Sequence, residues 1–218
     1  MGRPTRALLS REIIARAALD VVDEQGSDGL TMRAVADRLG VKAASLYNHV
    51  SGKDDLIDGL AQLVNAEIDL GPLGGTDDGD WRPGLTTYVR GYRAAFLRHP
   101  HTIALLARRR VGAEQQLLGY EALLGALGRA GLAPADAAEA AAAIDYLVLG
   151  SALETFSAGF TRSSADYRPR YPALADALEA SAERGGGPGT GVPGLDERGF
   201  ELALRLLLDG LAARLAAA

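Results

Sequence analysis

Apolar residues recur at helical spacing along the chain, which predicts an all-α fold. The first stripe is Ile13, Ile14, Ala17, Ala18, Val21 and Val22, reaching to about residue 24. Ser10 stands where an N-cap belongs, and Gly26 with the Ser27-Asp28-Gly29 turn ends the element. Thr31 then caps a shorter helix with Val35, Ala36 and Leu39 on one face. Gly40 ends that helix, because glycine takes left-handed backbone at little steric cost. Val41 is the apolar residue of the turn, and a further helix over about 42–50 turns Leu46 and Val50 inward. Ala36 is small where the two helices would cross. This is the pattern of a helix-turn-helix, whose second helix can lie in a DNA major groove.

The periodicity continues. Ser51 is placed to cap a helix over about 52–69 with Leu56, Ile57, Leu60, Ala61, Val64 and Ile68 inward, and the Gly71-Pro72-Leu73-Gly74-Gly75-Thr76 stretch breaks it. Asp80 caps the next, with Pro83 in its first turn and Leu85, Tyr88, Val89, Tyr92 and Phe96 on one face until His99-Pro100 ends it. Further helices are predicted over about 103–109, 113–130 (Leu117, Tyr120, Leu124 and Leu127 inward), 134–158, 174–182 and 195–215. Ile144, Leu147, Val148 and Leu149 make the 134–158 helix the most apolar, and Phe200, Leu204, Leu207, Leu208, Leu211 and Leu215 give the last a broad apolar face. Residues 168–172 read as a bend, and the glycine- and proline-rich 185–194 reads as a flexible loop.

A chain of 218 residues with 48% hydrophobic positions can bury a sizeable core as one large domain or two modest ones. The absence of cysteine excludes disulfides, thiolate metal sites and a cysteine nucleophile, and fits a reducing cytoplasm. No continuous apolar segment suggests a signal peptide, and Asp, Glu and Arg interrupt every apolar stretch, so no membrane span is expected. The net charge of −5 speaks against nucleic acid until it is mapped. Arg3, Arg6, Arg11 and Arg16 face a single acid, Glu12, in the first 16 residues. Over 29–53, Arg33, Arg38, Lys42 and Lys53 face only Asp37, whereas the chain beyond is acidic. A basic end on an acidic body orients a protein on a polyanion. Arg3 and Arg6 belong to an arm that either reaches phosphates or a minor groove, or is a solvated terminus. No phosphate-binding glycine loop, HExxH or nucleophile elbow is present, so neither catalysis nor a cofactor is expected. His99 and His101 flank Pro100 and read as exposed at a helix end rather than as a metal pair.

The segment GLTMRAVADRLGVKAASLYNHVSGKDDLIDGL, residues 29–60, closely resembles the N-terminal domain of the TetR family of transcriptional repressors. The LYNHV run followed by Lys53 and Leu56 is its most characteristic part. The resemblance implies a three-helix DNA-binding domain with the helix-turn-helix over 1–52, then a larger helical ligand-binding and dimerisation domain over 53–218. Arg33 matches a family position that contacts a base or a phosphate, and Arg can bond guanine bidentately. Lys42, Ala43, Ala44 and Ser45 open the reading helix, where Ser45 can bond a base or phosphate and the alanines offer only apolar contact. So few long polar side chains imply modest direct readout supplemented by DNA shape. Tyr47 and His49 match phosphate-holding positions, with core packing the alternative for Tyr47 and a satisfied surface histidine for His49; Lys53 matches another phosphate contact.

DWRPGLTTYVRGYRAAFLRHP, LGSALE and the terminal ALRLLLDGLAARL resemble the ligand domain of the tetracycline-repressor type. There the long and last helices of two chains form a four-helix bundle, implying a homodimer. The pocket is expected to be lined by Tyr88, Tyr92, Phe96, Leu106, Tyr120, Tyr146 and Glu154, unless these aromatics are plain core. That type holds a magnesium–drug chelate through a histidine, and Leu106 stands in its place, so neither magnesium nor tetracycline is carried over. The expected function is a cytoplasmic, homodimeric repressor bound to a palindromic double-stranded DNA operator and released by a small apolar or aromatic ligand. The alternative is a DNA-binding regulator without such a ligand, constitutive or partner-controlled.

Overall fold

In the computed structural model, which describes residues 9–75, 80–107, 111–153, 160–185 and 194–217, Ser10 opens the first helix. Its hydroxyl accepts from the Ile13 N–H at 3.2 Å, and α1 (Arg11–Gln25) buries Ile14, Ala17, Ala18, Val21 and Val22. Ala15 is buried as well, for a reason that lies in a later helix: a Cβ on Gly59 would stand 2.8 Å from the Ala15 Cβ. Glycine at 59 thus lets the two backbones approach.

Thr31 Oγ1 accepts from the Ala34 N–H at 3.0 Å and starts α2 (Met32–Leu39). Gly40 follows at φ 64°, ψ 35°. The Val41 N–H returns to the Ala36 carbonyl at 3.0 Å and the Gly40 N–H to that of Asp37 at 3.1 Å. These bonds satisfy carbonyls that a helix end leaves free.

The second helix of the motif is shorter than its pattern predicts. Regular α geometry covers only α3 (Ala43–Leu46), then tight turns in which the His49 and Val50 N–H groups both reach the Leu46 carbonyl, at 2.9 and 3.0 Å. The preceding Lys42 has no side-chain acceptor with which to cap the first turn. Burial of Leu46 and Val50, both as expected, holds the segment instead.

Ser51 does not cap α4 (Lys53–Ala66). Gly52 occupies the cap position, and the Asp55 carboxylate accepts from the Ser51 N–H at 2.7 Å. Leu56, Ile57, Leu60, Ala61 and Val64 are buried. Asp80 caps α5 (Trp81–Arg98) at the Arg82 N–H, 3.0 Å, and Leu85, Tyr88, Val89, Tyr92 and Phe96 turn inward. Next, α6 (Pro100–Leu106) starts three residues earlier than its pattern suggests, because Pro100 is pre-set for a first helical position. In α7 (Glu114–Arg129) Leu123 and Leu127 are buried, whereas Leu117, expected inward, is exposed. α8 (Pro134–Leu153) begins at the expected proline; residues 154–158 of its prediction lie outside the described residues.

The chain divides into two compact units, residues 1–141 and 142–218. Within the first, α1 packs on α2, α4 and α6, and α4 packs on α7. Within the second, an unanticipated short α9 (Ser164–Tyr167) precedes α10 (Pro172–Gly185) and α11 (Leu195–Ala217). A reciprocal cap between Ser163 and Asp166 starts α9. Arg168 then reaches Asp176 at 2.7 Å and Ser164 reaches Glu179 at 2.9 Å, fastening α9 to α10. Ala175, Leu178, Phe200, Leu204 and Leu208 are buried. Arg3 and Arg6 of the N-terminal arm, and residues 186–193 of the glycine-rich loop, lie outside the described residues.

Candidate functional site

The helix-turn-helix carries its polar residues outward. Arg33, in the first turn of α2, has a side chain 90% exposed and, among the described residues, pairs with Asp37 alone, loosely, at 3.7 Å. Lys42 at the head of α3 and Lys53 at the head of α4 are exposed and have no ion partner among the described residues. Between them Ala43 and Ser45 are half-buried and Ala44 is exposed. Tyr47 is 56% exposed, which rules against core packing and leaves its hydroxyl free for a phosphate. His49 is half-buried and follows α3 in the turn.

Arg38 behaves differently from the other cations of the motif. Its guanidinium reaches Asp20 Oδ2 at 3.1 Å and both carboxylate oxygens of Glu24 at 2.6 and 2.8 Å, fastening α2 to α1. The hydrogen bond from Arg38 is the largest cause of a lowered Glu24 carboxyl, and the Arg38 guanidinium is raised in turn by Glu24. Arg38 is therefore structural, and the cationic face consists of Arg33, Lys42 and Lys53.

Both ends of this architecture match known families. Residues 14–60 match the model for bacterial regulatory proteins of the tetR family, and residues 73–215 match that for the tetracyclin repressor-like C-terminal domain. The chain belongs to the tetR family. As a tetR-family protein it is a DNA-binding transcriptional repressor. It is 35% identical over 210 residues to the class A tetracycline repressor of transposon 1721 from Escherichia coli, covering 94% of this chain and 92% of that one. Among solved structures, ActR of Streptomyces coelicolor in complex with actinorhodin superposes with a TM-score of 0.74 at 27% identity, covering 95% and 97%. BioQ with its double-stranded DNA operator superposes at 0.65 and 25% identity, covering 94% and 99%.

The expected pocket residues of this tetR-family chain distribute as follows. Tyr88, Tyr92 and Phe96 are buried as a ladder on α5, with ring centroids 5.9 and 5.4 Å apart and the second pair edge-on. Leu106 on α6 and Tyr120 on α7 are half-buried. Tyr146, in the second unit, is 78% exposed, and Glu154 lies outside the described residues. A cavity of about 260 Å³ opens at the N-terminal end of α5, between Leu73, Trp81, Leu85, Leu127 and Arg129, and none of the expected ligand residues lines it. The hydrocarbon side chain of Leu106 cannot ligate a cation, and among the described residues no group of three His, Asp or Glu is arranged to hold a metal ion. The magnesium chelation of the tetracycline-repressor type therefore does not fit this chain. No described helix is long and apolar enough to cross a membrane.

The residue that sequence reasoning misplaced is His99. It is not exposed: its side chain is 15% accessible and stands between Asp23 of α1 and Glu67 at the end of α4. Its partners lie 76 and 32 residues away in sequence, beyond the reach of any local pattern.

Proposed function

We propose that the protein is a homodimeric repressor that sets two helix-turn-helix heads on a near-palindromic duplex and leaves it when a small apolar or aromatic molecule binds. The observation that carries this reading is the family match over both ends of one chain. In this reading residues 1–52 read DNA through Arg33, Lys42, Ala43, Ala44, Ser45, Tyr47, His49 and Lys53, and residues 53–218 bind ligand and dimerise. Exposure of the reading turn supports it, as does the operator complex of BioQ. The actinorhodin complex of ActR supports a small-molecule effector, and the aromatic ladder of α5 supports a site near Tyr88, Tyr92, Phe96, Leu106 and Tyr120. Tyr146, Leu153, Leu202 and Leu206 stand exposed on α8 and α11, and large apolar side chains in the open mark an association surface. Duplex DNA as partner places the protein in the cytoplasm.

The ligand acts by binding more tightly to the arrangement whose heads are mis-spaced, since only differential affinity shifts an equilibrium. Selection from a random duplex library at near-physiological salt tests the first half, and an enriched palindrome is expected. Displacement of that duplex by a library of planar aromatic compounds tests the second. A palindrome that no compound displaces leaves the regulator without a small-molecule ligand.

A further inference from the structure

The cavity at the N-terminal end of α5 lies within the first unit, and its walls are held in place. The single turn Gly71–Gly74, between α4 and α5, forms one side. α5 meets this turn at Gly84, where an added Cβ would collide with the Pro72 carbonyl oxygen, so only glycine admits the contact. α7 meets it through Arg129, whose Nη2 donates to the Leu73 carbonyl at 2.6 Å. Gly125, one turn earlier in α7, makes room for that guanidinium, since a Cβ there would stand 3.2 Å from Nη1. Two helices thus grip one turn from two directions, and a space of about 260 Å³ remains between them.

The lining sorts by chemistry. Leu73, Leu85 and Leu127 are buried and make an apolar floor, and Trp81 is a half-buried aromatic wall. Charge stands at the exposed rim. Asp80 lies on one side, and its Oδ1 already accepts from the Arg82 N–H as the cap of α5. Arg129 lies on the other, with no acid at ion-pair distance among the described residues. The Arg82 guanidinium lies over the Trp81 ring, 5.8 Å from its centroid. Two cations beside one acid leave the mouth net positive. Arginine carries five donors in a planar fork, and the bond to Leu73 takes one of them. The rest suit a carboxylate, which accepts from such a fork through both oxygens.

Size limits the occupant. A dry cavity of about 150 Å³ takes benzene, so the space here suits one or two rings. Tyr88, Tyr92 and Phe96 do not line it. We propose that this cavity is a second effector site, separate from the aromatic ladder of α5, for an aryl carboxylate of one or two rings. The rings fill the leucine floor against Trp81, and the carboxylate meets Arg129 at the rim. A carboxylate that competes with the Leu73 carbonyl for Arg129 acts on the turn that follows α4, and α4 packs on α1 of the DNA-reading end. Operator affinity then changes as far as the ligand distinguishes two settings of that turn. This consequence rests on the repressor reading above, whereas binding itself does not.

Trp81 is the only tryptophan of the chain, so its fluorescence reports this cavity directly. The full-length protein is titrated with benzoate, cinnamate and 2-naphthoate, each beside its neutral amide, and calorimetry supplies the affinity where ligand and tryptophan overlap optically. At least one carboxylate should change the Trp81 emission saturably and bind about tenfold more tightly than its amide, the effect of one charge-assisted contact. Arg129→Gln should erase that preference. Ala126→Leu, which pushes a larger side chain into the cavity, should abolish the response in a protein that keeps its helical circular dichroism. If that variant does not fold, Ala130→Leu serves in its place. Saturating carboxylate should shift wild-type affinity for a library-selected duplex by about fivefold or more, the lower end of ordinary allosteric coupling, and should not shift that of Ala126→Leu. No saturable response to any of the carboxylates, a response unaltered in Ala126→Leu, or a carboxylate bound no better than its amide overturns the site. Binding that leaves duplex affinity unchanged overturns its role as an effector site. A protein that takes the carboxylate but binds no duplex at all would sink the repressor reading and leave the ligand site standing.

Discussion

Arg33 is where the DNA-reading geometry can be tested against a number. In the free protein its side chain is 90% exposed, and its one neighbour, Asp37, sits at 3.7 Å on the same helix face. An exposed pair at i, i+4 contributes at most about 0.5 kcal/mol to stability. Arg33→Ala should therefore leave the unfolding free energy within about 0.5 kcal/mol of wild type, so any larger effect on DNA binding reports a lost contact. If Arg33 bonds base edges, the loss is about 1–3 kcal/mol, or about 5- to 160-fold in Kd, and it concentrates at one base pair of each half-site. If it bonds a phosphate, all sequences weaken alike and the slope of log affinity against log salt falls by about one. Fluorescence anisotropy on the selected duplex and on single-base variants, repeated over a salt series, separates the two. Asp37→Asn supplies the opposite perturbation, freeing Arg33 and removing a negative charge beside the DNA, and should tighten binding. Unchanged affinity and salt slope in Arg33→Ala would refute the assignment of this residue to the interface.

Gly40 has left-handed backbone but open space around a built Cβ, so Gly40→Ala should cost about 1–2 kcal/mol from conformation alone, read in urea unfolding; a neutral result would contradict the left-handed turn. Leu206, 62% exposed on α11, can be changed to Asp without disturbing a buried core, and sedimentation should then show monomers that bind the duplex poorly. A Leu206→Asp protein that remains dimeric moves the association surface elsewhere. Hydrogen bonds from Ser163, through its side chain and then its backbone, hold the Asp166 carboxyl below its ordinary value. A lowered folded-state value means stability that is present above the ordinary carboxylate range and lost as pH falls through the lowered one. The stability difference between wild type and Asp166→Asn should accordingly be full above about pH 5 and shrink toward acid, and a difference that grows toward acid would contradict the sign.

What could be read from sequence was local. Ser10, Thr31 and Asp80 cap their helices because each interaction spans three residues or fewer, a distance at which residue type nearly decides geometry. The buried stripes of α1, α4 and α5 follow from the 3.6-residue period in the same way. Ser51 shows where local reading divides: Ser51 and Asp55 both suit a helix start, and the carboxylate reaching back to the backbone took precedence over the hydroxyl reaching forward. The shortening of α3 depended on the missing cap at Lys42, a signal present in the sequence but outweighed by the apolar spacing of Leu46 and Val50. Arg38 and His99 were illegible for a different reason. Their partners stand 14 to 76 residues away, and a charged residue on a helix looks the same whether it faces DNA or a neighbouring helix.

Those long-range pairs resolve the conflict between a net charge of −5 and a polyanionic partner. The acids in the C-terminal half of α1 would by themselves oppose DNA at the reading end. Arg38 neutralises Asp20 and Glu24, and His99 faces Asp23. Glu12 is engaged by Arg16 at 2.9 Å. Lys42 and Lys53 are left without ion partners among the described residues, and Arg33 is left with a loose one. Charges beyond about 8 Å are largely screened at physiological ionic strength. A phosphate at the reading turn therefore senses these local cations, while the acidic body acts mainly to disfavour approach in the wrong orientation. Two of the internal neutralisations are made by Arg38, which stays charged at any physiological pH.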